Sequence, residues 1–269
     1  MIESGWPSWL EWFTAGLGGF VTYWAVLLAI AGLELARPGP LAKTALGPRL
    51  TVNLLLGFMA AVVNSIPAVS LVAMATVAYA HSWGVLNQVD WPLWLEVLAS
   101  FLLADLTGYA IHRASHHWPV LWRLHRVHHS DPDIDLSTIF RAHPASILVA
   151  AGLDFIVIVA LGLHPLGIML HGLARLVTMG LGHANVAAMP GLSRACGLLF
   201  VTPEFHRRHH SAWQPETDSN YGEVLTLWDR CFRSHSWSRK PVARFGLGDT
   251  FDHDAAALLG QLRLPFISR

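Results

Sequence analysis

The chain has 269 residues, 53% of them hydrophobic and 13% charged, and a mean hydropathy of +0.42 is too high for an ordinary soluble domain. Lys+Arg and Asp+Glu balance at 18 each, and the arginines are scattered among histidines and tryptophans rather than gathered into a stripe, which excludes a typical nucleic-acid binder. Cys196 and Cys231 make no C-x-x-C pair, so neither a disulfide framework nor a thiolate zinc site follows, and a metal would have to rely on the 16 histidines.

The expectation is an all-α integral membrane protein with four to five transmembrane helices. The amino terminus, MIESGWPSWLEWF, has Glu3 and Glu11 but no basic residue before the first apolar run, unlike the n-region of a cleaved signal peptide. The first apolar segment, residues 12–35, is therefore expected to stay, and it is long enough to cross a hydrocarbon core of about 30 Å. ARPGPLAKTALGPRL follows, a turn-rich loop whose Arg37, Lys43 and Arg49 place it in the cytoplasm by the positive-inside bias. Residues 51–80 form a second apolar segment that is longer than a straight span needs. Asn53, Asn64 and Pro67 interrupt it, which predicts a kinked or tilted helix.

HSWGVLNQVDWPLW, without Lys or Arg and bracketed by tryptophans, reads as a short connection at the opposite interface. A third span, residues 94–111, returns to the cytoplasm and runs directly into His112. Asp105, Tyr109 and His112 share one face of it. An aspartate inside a membrane helix calls for a functional partner, with a structural hydrogen bond between helices as the alternative. Residues 145–163 and 165–181 read as a hairpin that enters and returns. After Gly182, Arg194, Arg207, Arg208, Arg230 and Arg233 mark the cytoplasmic side again. The chain thus divides into transmembrane helices over 1–93, a histidine-rich domain over 94–233 and a cytosolic polar tail over 234–269.

Seven histidines fall between Asp105 and His143. His112 and His116 are four apart, and His125, His128 and His129 form an H-x-x-H-H pattern that His206, His209 and His210 repeat. On helices each set projects from one face, with neighbouring Cβ atoms roughly 5–6 Å apart. Adjacent histidines such as His128 and His129 diverge by about 100°, so they suit two neighbouring ions rather than one. That is the pattern of a dinuclear centre carried on a cytosolic helical cap. His183, in GLGHAN, stands alone by spacing, and His117 is followed by Trp118-Pro119. His81, His164, His171, His235 and His253 have no partner in a repeated spacing and read as structural or solvent-facing. Imidazole suits iron, zinc, copper and nickel alike, and there is no H-E-x-x-H to supply a metalloprotease base. Spacing by itself therefore leaves open a non-enzymatic metal-binding membrane protein, or a haem protein.

In order along the chain come Asp105-x3-Tyr109-x2-His112-Arg113-x2-His116, LWRLHRVHHS, Arg141-Ala142-His143-Pro144, HAN, and HRRHHS followed by NYGEVLTLWDRCF. Together they resemble the fatty acid hydroxylase and sterol desaturase superfamily from about Trp94 to Phe232. The resemblance implies a membrane-embedded helical fold with two irons in a cytosolic His-box centre, dioxygen as co-substrate, and hydroxylation or desaturation of a fatty acyl or sterol-like lipid. It implies a separate electron-donor protein, and zinc can take the same imidazole set on purification. Carried over position by position, the metal ligands are His112 and His116, then His125, His128 and His129, then His206, His209 and His210. His183, with Asn185 two residues on, matches the family's intervening histidine, and His143 in the R-x-H-P element joins the set as ligand or support. Asp105, Tyr109, Asn185 and Asp229 are the residues expected to orient ligands by hydrogen bonds, with an ordinary cap as the alternative for Asp229. Where relatives usually continue LWDRLFGT, this chain has LWDRCFRSH.

Overall fold

The computed structural model describes residues 17–39, 46–66, 70–187, 189–238, 240–248 and 256–267. Lys43, Pro67, His253 and the part of the first span before Leu17 lie outside them. The regular secondary structure of the described residues is helical, apart from isolated β-bridges. The longer helices are α1 (Leu17–Ala36), α2 (Leu46–Asn64), α3 (Leu71–Ala80), α4 (Leu93–His117), α5 (Pro119–His129), α6 (Pro144–Leu161) and α7 (Pro165–His183). Shorter helices follow: α8 (Pro190–Cys196), α9 (Pro203–His209), α10 (Gln214–Thr217), α11 (Leu227–Cys231) and α12 (Leu258–Arg263). Four stretches are long and apolar enough to cross a membrane, Gly18–Ala36, Leu93–His117, Pro144–Leu161 and Pro165–His183, and the chain is an all-α, multi-pass membrane protein.

Proline sets most of the starts. Pro119, Pro144, Pro165 and Pro203 each stand in the first turn of their helix, where the missing N–H has no intrahelical partner to lose. His143 and His164 precede two of these prolines as N-caps, their rings accepting the N–H of Ala145 and of Leu166. The α6–α7 hairpin turns at Gly162, whose φ of +74° is left-handed. A Cβ there would meet the Trp83 carbonyl oxygen at 2.5 Å, so the position takes glycine.

The second apolar segment differs from the kinked helix expected of it. It breaks into α2 and α3, because the helix stops at Asn64 before the Pro67 stretch. Arg49, read as a loop residue, sits in the first turns of α2 and is buried, ion-paired with Asp131 and Asp135. Asn53, one turn on, donates to Asp131 Oδ2 and Ser137 Oγ and accepts from Arg141. These polar contacts pin α2 to the segment after α5. α7 is the most buried of the spans and packs against α1, α3, α4 and α9.

The end of the chain is not the polar appendage expected from its composition. Leu264 joins Val52, Leu56 and Val127 in one apolar cluster. Gln261 accepts the Ser130 hydroxyl at 2.6 Å, and Arg126 donates to the Ile267 carbonyl at 2.7 Å. Leu264, whose burial contributes about 1.5–3 kcal/mol, and the half-buried Leu258 and Leu262 hold this closing segment on α2 and α5.

Candidate metal centre

The C-terminal ends of α4 and α7 meet α5 and α9, and nine histidines converge there in two groups. His112, His116, His125, His129 and His209 form one; His128, His183, His206 and His210 form the other. Within each group the ligand atoms all lie within 4.8 Å of one another. The two abut, since the rings of His129 and His210 stack at 4.5 Å.

Helical spacing explains the sorting. The first and last histidines of an H-x-x-H-H pattern are four apart and lie on one face, so His125 and His129 share one group and His206 and His210 share the other. The middle histidine of each copy is rotated about 100° from its neighbour and crosses over, His128 to the second group and His209 to the first. His112 and His116, also four apart, add to the first group from α4, and His183 adds to the second from α7. α9 can come this close because Gly182 lies against His206, where a Cβ would sit 3.0 Å from the histidine's own.

Each group is oriented from behind by backbone. His112 Nδ1 lies 2.8 Å from the Tyr221 carbonyl, His209 Nδ1 2.8 Å from that of Ser219, His183 Nδ1 2.7 Å from that of Met179 and His128 Nδ1 3.1 Å from that of Arg141. A carbonyl can only accept, so in these four rings Nδ1 carries the proton and Nε2 presents a lone pair inward. His116 Nδ1 faces Asp218 Oδ1 at 3.4 Å.

The inward atoms are a poor hydrogen-bond network and a good chelate. Nε2 atoms approach each other at 3.2 Å for His128 and His183, 3.0 Å for His183 and His206, and 3.1 Å for His206 and His210. The Nε2 atoms of His112, His116 and His209 are buried without a partner among the described residues. Lone pairs facing lone pairs repel unless a cation lies among them, so these residues fit metal ions. Burial, and after it the neighbouring imidazoles, push the pKa values of His125, His129, His206 and His210 well below the ordinary 6.5. His128 and His209 are lowered in the same way. Metal ligation needs the neutral form that this favours.

The other expected residues are placed differently. His143 joins neither group; it caps α6, as His164 caps α7. The Asp105 carboxylate accepts from the N–H groups of Val224 and Leu225 and from the Trp228 indole at 2.9 Å, and faces His171 at 3.4 Å, so it clamps the 224–228 segment to α4. Tyr109 donates to Ser234 Oγ, which donates to Asp229 Oδ1, and the Asp229 carboxylate takes the N–H groups of Tyr221 and Gly222. Asp229 and Tyr109 thus reach His112 through the Tyr221 peptide rather than directly. Asn185 accepts from Arg207 at 3.2 Å.

Ser219, Tyr221 and Asp218 were not singled out from the sequence. Asn220 between them, with φ of +59°, is the one local signal, because asparagine tolerates the left-handed turn. It locks that turn by donating to the Phe205 carbonyl and accepting from the Ser236 N–H.

A family model described as fatty acid hydroxylase matches residues 97–234. The chain is 33% identical over 211 residues to an ornithine lipid hydroxylase of Rhizobium tropici, an alignment covering 77% of this chain and 60% of the relative. It is 28% identical over 190 residues to the alkylglycerol monooxygenase of Homo sapiens, covering 70% of this chain and 41% of the relative. It is 30% identical over 176 residues to a fatty acid hydroxylase of Lecanicillium, covering 58% and 47%. The chain therefore spans between about two fifths and three fifths of the length of these relatives. No solved structure matches it.

Proposed function

The chain belongs to the fatty acid hydroxylase family, and from that premise we propose that it is a membrane-bound, dioxygen-dependent oxidoreductase that hydroxylates, or desaturates, a lipid. The observation that carries the proposal is the convergence of nine imidazoles, seven buried and two half-buried, into two abutting groups with no thiolate or carboxylate in either. Structural zinc sites usually include thiolates and close at four ligands, whereas two ions sharing nine imidazoles suit redox-active iron. The relatives named as hydroxylases and monooxygenases support the same reading.

His112, His116, His125, His129 and His209 would hold one iron and His128, His183, His206 and His210 the other. When bound, the two irons supply the activation of dioxygen needed to oxidise an unactivated C–H bond, with electrons from a separate donor protein. The chain's own contribution is placement. The carbonyls of Tyr221, Ser219, Met179 and Arg141 hold four rings with Nε2 inward, so the ligands are preorganised before metal enters. Burial keeps water from the reacting centre. The centre faces the cytoplasm on this proposal, as Arg37 and Arg194 at the same ends of the spans favour.

The test is anaerobic reconstitution with ferrous iron, elemental analysis, and mass spectrometry of lipids after supply of dioxygen and reductant. About two irons per chain and an oxygen-dependent lipid product are expected. Two bound metals with no dioxygen uptake would favour a metal-handling protein instead, and sulfur ligation seen by X-ray absorption would overturn the assignment.

A further inference from the structure

A groove of about 340 Å³ runs along the outer face of α4, beside the metal centre but outside it. Leu106, Ala110, Ala114 and Trp118, each four residues from the last, make its apolar floor, with Tyr109, Arg113 and Phe232 together forming a wall. α4 ends at His117, so the groove occupies the last turns of a span, at the depth where lipid chains give way to head groups.

Arg113 is the only cation in its lining, and its partners there are neutral. Its guanidinium donates to the Tyr109 hydroxyl at 3.0 Å and the Phe232 carbonyl at 3.4 Å. No carboxylate among the described residues lies at ion-pair distance from it. A guanidinium has five donors, so further N–H groups remain for an anion, and at a lipid boundary such a charge is strongly biased towards pairing.

The groove is also one aromatic layer from the histidines. Tyr109, buried in its wall, stacks on Phe232 at 5.5 Å and lies 6.2 Å from Tyr221. The Tyr221 ring is 5.2 Å from that of His116 and 5.8 Å from those of His112 and His209. Its hydroxyl meets Nε2 of His117, another residue of the groove, at 3.3 Å.

We propose that this groove binds one acyl chain of a lipid with an anionic head group, the carboxylate or phosphate on Arg113 and the chain along Ala110 and Leu106. That this lipid is the substrate rests on the proposed function; that it binds here does not. Neighbouring chains are the other class of occupant for an apolar face, but a guanidinium offered beside a chain-wide slot at head-group depth favours a lipid.

The experiment uses the full chain in nanodiscs of a neutral phospholipid and photolabelling with a long-chain fatty acid carrying a mid-chain diazirine. The methyl ester of that acid and a phosphatidic acid with the same chain are the comparison probes. Labelling is expected within residues 106–118 or at Phe232. Ala110→Trp, which fills the groove from an exposed position, is expected to cut labelling about tenfold with metal content unchanged. Arg113→Gln is expected to weaken the acid and the phosphatidic acid about tenfold, equivalent to about 1.4 kcal/mol, and leave the ester as it was, with Arg113→Lys restoring most of the loss. Labelling by the acid but not the phosphatidic acid assigns the carboxylate, and the reverse assigns the phosphate.

Equal labelling by acid and ester, labelling elsewhere, or no effect of Ala110→Trp overturns the proposal. So does a dimer that Ala110→Trp converts to monomer, since a second copy would then fill the groove. Labelling here without lipid turnover would leave the groove standing and sink the oxygenase, whereas turnover without labelling here would do the reverse.

Discussion

Each H-x-x-H-H copy splits between the two histidine groups, so single substitutions should act on one group at a time. His128→Ala removes a ring from the four-histidine group and His209→Ala one from the five-histidine group; each is expected to lose about one metal per chain, read by elemental analysis. His143→Ala removes the cap on α6 and the ring's contacts with the Leu262 backbone and Phe266, so it should keep its metal and lower stability by at least about 1 kcal/mol, measured by unfolding in detergent. Loss of metal from His143→Ala would return that residue to the ligand set. The six histidines of α5 and α9–His210 also set a pH dependence. Their folded pKa values lie below the ordinary 6.5, so as pH falls the unfolded chain takes up protons first. Stability of the metal-free protein is therefore complete above about pH 6.5 and declines as pH drops from there towards the folded values, by up to about 1.4 kcal/mol per pH unit for each group. A chelator-treated sample whose unfolding temperature is flat from neutral to mildly acid pH would contradict this.

At the scale of elements, α7 carries an arginine in the middle of a span. Arg175 is held by Glu223 through two bonds, 2.6 Å and 2.9 Å, and its side chain is 52% exposed. A charge within a span is costly, so the pair with Glu223 is what makes it tolerable. Glu223→Gln is expected to destabilise the protein by about 2 kcal/mol, less than for a fully enclosed pair. The double change with Arg175→Leu should recover most of it. A Glu223→Gln variant as stable as the parent would show that the arginine finds its partner in the lipid head groups instead. The Glu223 carbonyl also takes the Thr178 hydroxyl, which ties the segment bearing Tyr221 to α7 on one side while Asp105 ties it to α4 on the other.

For the whole molecule, the segment ending the chain closes a core made with α2 and α5. Truncation after residue 256 uncovers Val52, Leu56 and Val127, and it should reduce monodisperse yield on size exclusion without changing the spacing of any histidine. A well-folded truncated protein would show that this cluster is dispensable. Orientation belongs to the same scale. A reporter fused after Gln88, in the connection between α3 and α4, is expected to behave as non-cytoplasmic, and one fused within the 211–220 segment as cytoplasmic. The opposite result would invert the proposed topology while leaving the fold as described.

Hydropathy marked the apolar segments, and the three-and-four spacing of the histidines marked two facing sets, because a helix repeats every 3.6 residues wherever it is placed. Even the divergence of His128 from His129 follows from that rotation. The sequence also held the clue to His143, since His164 precedes a proline in the same way and both rings cap helices. Other features depended on the fold. Asp105 and Asp229 share the expectation of orienting the histidines, but only the fold shows what their oxygens hold: the Val224 and Leu225 N–H groups and the Trp228 indole for Asp105, and for Asp229 the N–H groups of Tyr221 and Gly222, beside the carbonyl that faces His112. Arg49 looked like a loop charge until Asp131 and Asp135 came beside it. Periodicity reports which face a side chain shares with its neighbours on the same helix. What stands opposite that face is decided by long-range packing, and the partners of buried charges, the carbonyls behind the histidines and the docking of the chain's end are all of that kind.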